Sequence, residues 1–243
     1  GVYVVRDDLI SGGTKARYLI DLFSQHDEVV YASPAYGGAQ LALAYCARLT
    51  GKRATVFVAK RKELHARTLE AARVGARVFQ VKHGYLNVVQ ARAKAYTADT
   101  GAYLLPFGAH EERAIQAIAD VAHCVTEEYG AFDEVWCACG SGTLLEGLMR
   151  GLEATRFVGV QIGRNVAVQG ATIIKHKLKF EDESAAPVPF PSCPNYDRKA
   201  WELCKQGSKG KTLFWNVNGE SPTPHLYQVT EHNDTERYQQ RYH

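Results

Sequence analysis

The strongest constraint on this chain is a rhythm: short β-rich runs alternate with longer runs of helical spacing. Glu28–Ala32, Ala54–Val58, Ala76–Val81, Glu134–Cys137 and Phe157–Ile162 read as strands. Between them, Leu41–Leu49, Ala66–Val74, Val88–Ala98 and Ala114–Glu128 place apolar residues three and four apart, the spacing of a helix with one buried face. Parallel strands need crossover connections, so the alternation predicts an α/β fold with a mostly parallel sheet and helices on both faces. Gly51, Gly75, Gly101 and Gly130 fall where each helix has to stop, as helix C-terminal glycines do. Val2–Val5 reads as an opening strand. Beyond Gly163 the rhythm fades. Glu181–Arg198 carries Pro187, Pro189, Pro191 and Pro194 and reads as irregular, Trp201–Lys205 as a short helix and Thr212–Val217 as a strand. Glu231–His243 is a polar tail.

Bulk properties exclude several classes. With 46% hydrophobic and 23% charged residues, the composition is that of an ordinary globular protein. No apolar run approaches the roughly 20 residues of a membrane helix, so no membrane partner is expected. Nothing at the start resembles a signal peptide, and the six cysteines lack a disulfide framework's spacing; the expectation is a reduced, cytoplasmic protein. Cys137 and Cys139 alternate along a strand and read as two buried thiols on one face. Cys193 and Cys204, with His176 or His232, lack zinc-ligand spacing, and no metal is expected. The net charge of +3 is too mild to indicate nucleic-acid binding by itself. Its distribution is uneven, however: Lys175–Lys211 holds a surplus of basic residues.

Three stretches carry chemistry. Arg6-Asp7-Asp8-Leu9 is followed by Ser11-Gly12-Gly13-Thr14-Lys15-Ala16-Arg17, a tight turn entering a helix. A lysine there meets the positive end of the helix dipole, which lowers an ammonium pKa and favours a neutral, nucleophilic amine. By itself this fragment reads as an ordinary surface lysine. Cys139-Gly140-Ser141-Gly142-Thr143-Leu144 joins the strand Glu134–Cys137 to the helix Leu144–Leu152. Glycines there permit close backbone approach, successive N–H groups form an anion cradle, and Ser141 and Thr143 add hydroxyls. The pattern is a phosphate site, but neither a P-loop nor a dinucleotide fingerprint. Ser33-Pro34-Ala35-Tyr36-Gly37-Gly38-Ala39-Gln40 repeats the design after another strand, where ligands of parallel sheets gather.

In order and spacing these pieces resemble the tryptophan-synthase-β-like (fold type II) pyridoxal-phosphate enzymes. The nearest branch is that of aminocyclopropane-carboxylate deaminase and D-cysteine desulfhydrase. The branch's acidic segment and Gly-Gly-Asn-Lys-x-Arg match Arg6–Leu9 and Gly12–Arg17, with Thr14 in place of the asparagine. Gln40–Val58, Leu69–Val81 and Phe132–Leu148 continue the likeness, which spans roughly Val4 to Ile162. The resemblance implies that Lys15 holds pyridoxal 5'-phosphate as a Schiff base and later moves a proton at the substrate α-carbon. It further implies that Gly140, Ser141, Gly142 and Thr143 bind the phosphate. Ser33, Gly37, Gly38 and Gln40 would meet the carboxylate of a small amino-acid-like substrate. Tyr36 stands where the family has a cofactor-binding asparagine, as a hydrogen-bond donor or a ring stacked on the pyridine. The partner of the pyridine nitrogen falls among Thr212, Ser221, Thr223 and Tyr227. His110 is a candidate acid/base.

Two α/β lobes are implied, residues 1–30 with 105–243 for the cofactor and 31–104 as the smaller lobe, in a chain shorter at both ends than typical members. A homodimer is implied by analogy. The reaction expected is lyase, deaminase, isomerase or decarboxylase chemistry. Compact relatives occur among viral enzymes that rework amino acids attached to thymine bases in DNA, and the length, Tyr36 and the basic 175–211 region suit such a DNA-modifying version. The remaining alternatives are a non-catalytic pyridoxal-phosphate-binding regulator and an unrelated α/β binder of a phosphate ligand.

Overall fold

The fold is that of a computed structural model, which describes residues 1–82 and 84–219. In chain order the first elements are β1 (Val2–Arg6), α1 (Ala16–Gln25), β2 (Glu28–Ala32), α2 (Ala39–Thr50), β3 (Arg53–Ala59), α3 (Ala66–Val74), β4 (Arg77–Val81), α4 (Leu86–Thr100) and β5 (Tyr103–Leu104). They continue with α5 (Glu112–Tyr129), β6 (Phe132–Cys139), α6 (Thr143–Gly151), β7 (Ala154–Gln161), β8 (Thr172–Lys175), α7 (Asp197–Gly207) and β9 (Thr212–Asn216). The described residues divide into two compact units, one of Gly1–Tyr18 with Gly108–Gly219, the other of Leu19–Phe107.

The first unit is built on a parallel sheet of order β1-β9-β6-β7-β8. From β6 the connections run outward through β7 to β8, whereas β9 returns on the other side of β6. That reversal makes the carboxyl end of β6 a topological switch point, where α/β sheets open a crevice for ligands. The loop leaving β6 there is Gly140–Gly142. Alternation along β6 sends Trp136 and Ala138 to one face, where they join Val158, Val160, Phe214 and the α7 residues Ala200, Trp201 and Cys204 in a buried core. On the other face α6 lies against β7 so closely that a Cβ on Gly159 would come 2.7 Å from Leu145 Cδ2. Cys137 and Cys139 point to that face, both buried and free, and burial pushes the Cys139 thiol up to about 11.

The second unit carries a parallel sheet of order β4-β3-β2-β5. Its reversal lies at β2, whose carboxyl end leads into the Ser33–Gly38 loop. Phe57 and Phe79 stack with centroids 4.8 Å apart, and α4 closes this core with Val89, Ala93 and Tyr96. Buried Glu28 ties the opposite edge, accepting from Thr55 Oγ1 at 2.6 Å and Tyr96 Oη at 2.8 Å.

The parallel α/β architecture agrees with the sequence reading, and Gly51, Gly75, Gly101 and Gly130 do cap their helices. Strands β5 and β8 are too short to show a period and were not anticipated. Helix α7 starts at Asp197, ahead of the expected Trp201. The polar run Asp197-Arg198-Lys199 reads as loop, yet Asp197 and Lys199 are fully buried, and the Lys199 ammonium donates to the carbonyls of Lys179 and Phe180.

Candidate active site

Lys15 ends a 3-10 turn, Gly13–Lys15, that runs directly into α1. Left-handed Gly12 and Gly13 (φ 92° and 64°) bring the chain around sharply. A Cβ on Gly13 would lie 2.3 Å from the Val217 carbonyl, so only glycine lets the turn lie this close to the end of β9. Lys15 thereby faces a cavity of about 400 Å³, solvent at its mouth included, which Gly140, Ser141, Gly142 and Thr143 also line. The lysine and the β6–α6 loop, far apart in sequence, thus meet in one cavity of the first unit.

The cavity has the chemistry of an anion cradle. Gly142 adopts φ 96° as the N-cap of α6, whose first-turn N–H groups have no helical carbonyl to bond. Ser141 Oγ and Thr143 Oγ1 lie 2.9 Å apart, and Thr143 Oγ1 donates to the Gly108 carbonyl at 3.2 Å. Gly108 and Ala109 both take positive φ (70° and 53°). A buried alanine in that region is strained, and such strain persists where the surroundings dictate it.

The Lys15 ammonium makes no hydrogen bond or ion pair among the described residues. Burial lowers its pKa, partly countered by the Asp197 carboxylate. The direction matches the sequence expectation, but the chief cause is desolvation rather than a helix dipole. The stability consequence has a definite sign. Between the lowered value in the fold and the ordinary lysine value of 10.5, the unfolded chain holds a proton that the folded chain does not. Stability of the cofactor-free protein therefore rises with pH across that window. Lys15→Met is expected to flatten this rise, which a pH series of thermal melts measures.

Two residues that bear on the cavity or on Lys15 went unnoticed in the sequence. Tyr196 lines it, its hydroxyl 3.1 Å from where a Gly140 Cβ would stand, and burial raises its pKa well above the ordinary value. Asp197, fully buried at the start of α7, accepts the N–H groups of Val217 and Asn218 at 3.2 and 3.3 Å. An acid before a helical run is a helix-start signal, but nothing local places it where its charge acts on Lys15.

The Ser33–Gln40 loop belongs to the second unit. Ser33 is buried and its hydroxyl donates to the Pro34 carbonyl at 2.9 Å. The Gln40 amide donates to the Ala35 and Gly37 carbonyls at 3.1 Å and accepts from Thr68 Oγ1 at 2.9 Å, so its side chain braces the loop. Half-buried Tyr36 has its ring 4.6 Å from that of His65, and Arg67 donates to its carbonyl at 2.5 Å. Gly37 and Gly38 stay half-buried before α2. His110 bonds Glu146 Oε2 at 3.1 Å on the exposed side of the first unit. Thr212 lies at the amino-terminal end of β9, paired with Glu134, and donates to Lys209. It thus lies at the end of the sheet opposite the β6–α6 loop. Ser221, Thr223 and Tyr227 lie outside the described residues. No described helix is long and apolar enough to cross a membrane.

The sequence model of the family described as pyridoxal-phosphate dependent enzyme matches residues 2–211. No curated protein sequence matches the chain. Among solved structures, an ACC deaminase homologue superposes with TM-score 0.71 at 20% identity, covering 90% of this chain and 85% of its own. A threonine deaminase from T.th. gives 0.69 at 15% identity, with 91% and 88% covered. Cysteine synthase from Entamoeba histolytica gives 0.68 at 14%, with 99% and 86% covered. At these identities the three show a shared fold.

Proposed function

Because this chain belongs to the pyridoxal-phosphate dependent enzyme family, we propose that it catalyses α-carbon chemistry on an amino-acid-like substrate, with Lys15 as the residue that holds the cofactor. The observation that carries this reading is the shared cavity: a desolvated lysine without a partner and a glycine-rich anion cradle line the same space. Those residues fit an aldehyde-bearing phosphate ester at both of its reactive ends.

When bound, pyridoxal phosphate supplies an electron sink for the substrate α-carbon. The chain's own groups do the rest. Backbone amides of Gly140–Thr143 and the hydroxyls of Ser141 and Thr143 hold the phosphate. Lys15, kept readily neutral by burial, would hold the aldehyde end and would take or give a proton at the substrate α-carbon. The buried Asp197 carboxylate is the acidic counterpart of this lysine, and Tyr196 is a protonated hydroxyl within the cavity. In the second unit, the amides of Gly37 and Gly38 at the start of α2 suit a substrate carboxylate, with Ser33 and Gln40 bracing the loop and half-buried Tyr36 beside them. The family reactions nearest this arrangement are elimination, deamination, isomerisation and decarboxylation.

The test is an absorbance spectrum of the protein with pyridoxal phosphate before and after borohydride, followed by peptide mapping. A pyridoxyl group on Lys15 is expected; one on another lysine, or on none, overturns the assignment. Spectral change on adding amino acids separates an enzyme from a regulator that merely retains the cofactor.

A second reading, an amino acid carried on DNA, draws on one surface. The basic surplus of 175–211 is scattered: Lys199 is buried, Lys211 donates to the Tyr129 carbonyl and exposed Lys177 pairs with Glu202, while Lys175, Lys179, Lys205 and Lys209 are exposed. Lys60, Arg61, Lys62 and Lys82 are instead exposed together at the carboxyl ends of β3 and β4, where Lys60 N bonds the Val81 carbonyl at 2.8 Å. Tyr85, 77% exposed, follows them. Such a basic edge with an aromatic suits nucleic acid. DNA binding that weakens steeply with salt and fails in Lys60→Glu/Lys62→Glu supports this reading; indifference to DNA removes it.

A further inference from the structure

Around the Lys15 turn, one carboxylate takes up nearly every side-chain donor. Asp7 is fully buried. Its Oδ2 accepts from Thr14 Oγ1 at 2.7 Å, Arg17 Nε at 3.0 Å and Trp215 Nε1 at 3.0 Å, and its Oδ1 accepts from Arg17 Nη2 at 2.5 Å. Trp215 Nε1 also reaches Thr14 Oγ1 at 3.1 Å, and the Arg17 guanidinium lies 5.9 Å from the Trp215 ring centroid. The residue just before Lys15 and the one two places after it are therefore tied to the same buried anion. That anion stands on the Asp7–Leu9 turn leaving β1, and its third donor stands on β9.

We propose that Asp7 is a positioning residue for Lys15, a proposal that rests on the reading of Lys15 as the cofactor lysine. Consecutive left-handed glycines leave the Gly12–Lys15 turn with little rigidity of its own. The Thr14 N–H to Val217 bond at 3.0 Å fixes one backbone point; the Asp7 carboxylate fixes the two side chains that flank the lysine. A buried anion with charge-assisted bonds has a narrow geometry, so the Lys15 amine is held at a set reach from the phosphate cradle rather than swept around the cavity. Thr14 relays this hold by its hydroxyl, a function its neighbours cannot replace because Trp215 offers only a donor.

The test separates attachment from binding. Wild type, Asp7→Asn, Asp7→Glu and Thr14→Val are compared in the rate at which pyridoxal phosphate attaches to Lys15. They are also compared in affinity for pyridoxine 5'-phosphate, which has the phosphate but no aldehyde. Misplacement of a reacting group by about 1 Å costs on the order of 10²-fold. A loss of that order in attachment is expected for Asp7→Asn and Thr14→Val, with the analogue's affinity held and with partial recovery in Asp7→Glu. Attachment at the wild-type rate, or analogue affinity falling in step with attachment, overturns the proposal. If Asp7→Asn does not fold, Thr14→Val decides alone, since it removes one hydroxyl and leaves the Asp7–Arg17 pair intact. Wild-type protein that carries no pyridoxyl group on Lys15 sinks the underlying reading instead, and does so without any variant.

Discussion

Lys15→Ala is expected to abolish borohydride-stable attachment of pyridoxal phosphate while leaving the folded protein as stable as wild type, or more so. The two effects have one origin. Burial disfavours the Lys15 ammonium, and a desolvated cation with no partner costs folding free energy that alanine does not incur. On the proposed reading, what the lysine contributes is chemistry: covalent attachment and proton movement at the α-carbon. Loss of a general acid/base alone lowers turnover by about 10²–10⁴-fold, and loss of attachment adds to it. Mass spectrometry of the reduced protein, turnover assays and a thermal melt check the three parts together. A variant that loses turnover because it melts far below wild type would contradict this account.

Gly108→Ala is expected to weaken pyridoxal phosphate binding at least about tenfold, or 1.4 kcal/mol, and to lower stability. Two terms combine at this residue. Its φ of 70° lies in the left-handed region, which costs an alanine roughly 1–2 kcal/mol. Its Cβ would also stand 2.2 Å from Ser141 Cβ, and that overlap is relieved only by moving the loop that forms the phosphate cradle. Gly101→Ala is the control: it has φ 74° with nothing within 4 Å, so it bears the backbone term without the overlap. Equilibrium cofactor titrations on both variants, with denaturant melts, distinguish the terms. Equal cofactor affinity in the two variants would mean that the Gly108–Ser141 contact does not shape the cradle.

Much of the architecture was legible because its signals are local. A short β-rich run such as Glu28–Ala32, or a helix closed by Gly75, shows itself within its own window. The β6–α6 loop was legible for the same reason: Gly140–Thr143 joins a strand to a helix and needs no distant partner to be an anion cradle. Strand β5, two residues long, has no window to show a period. Asp197 and Tyr196 were hidden by their setting, since a proline-rich stretch before a polar helix start looks like surface. Lys199 was hidden in the opposite sense, because a buried lysine satisfied by two carbonyls is indistinguishable in sequence from a solvated one.

Local periodicity dictated that this chain forms parallel α/β sheets, and its motifs marked Lys15, the Ser33–Gln40 loop and the Gly140–Thr143 loop as candidate chemical features. Whether Lys15 is an ordinary surface cation or lies buried against the Gly140–Thr143 loop was left to the tertiary structure. The decision falls on β9, which returns from late in the chain to lie between β1 and β6, pairing Trp215 with Val5 on one side and Cys137 on the other. That insertion brings the Gly13–Lys15 turn and the end of β6 to one cavity, and it places Trp215 and Val217 where they grip the turn. Strand order depends on which distant segments bury one another's edges, and no local periodicity encodes that choice.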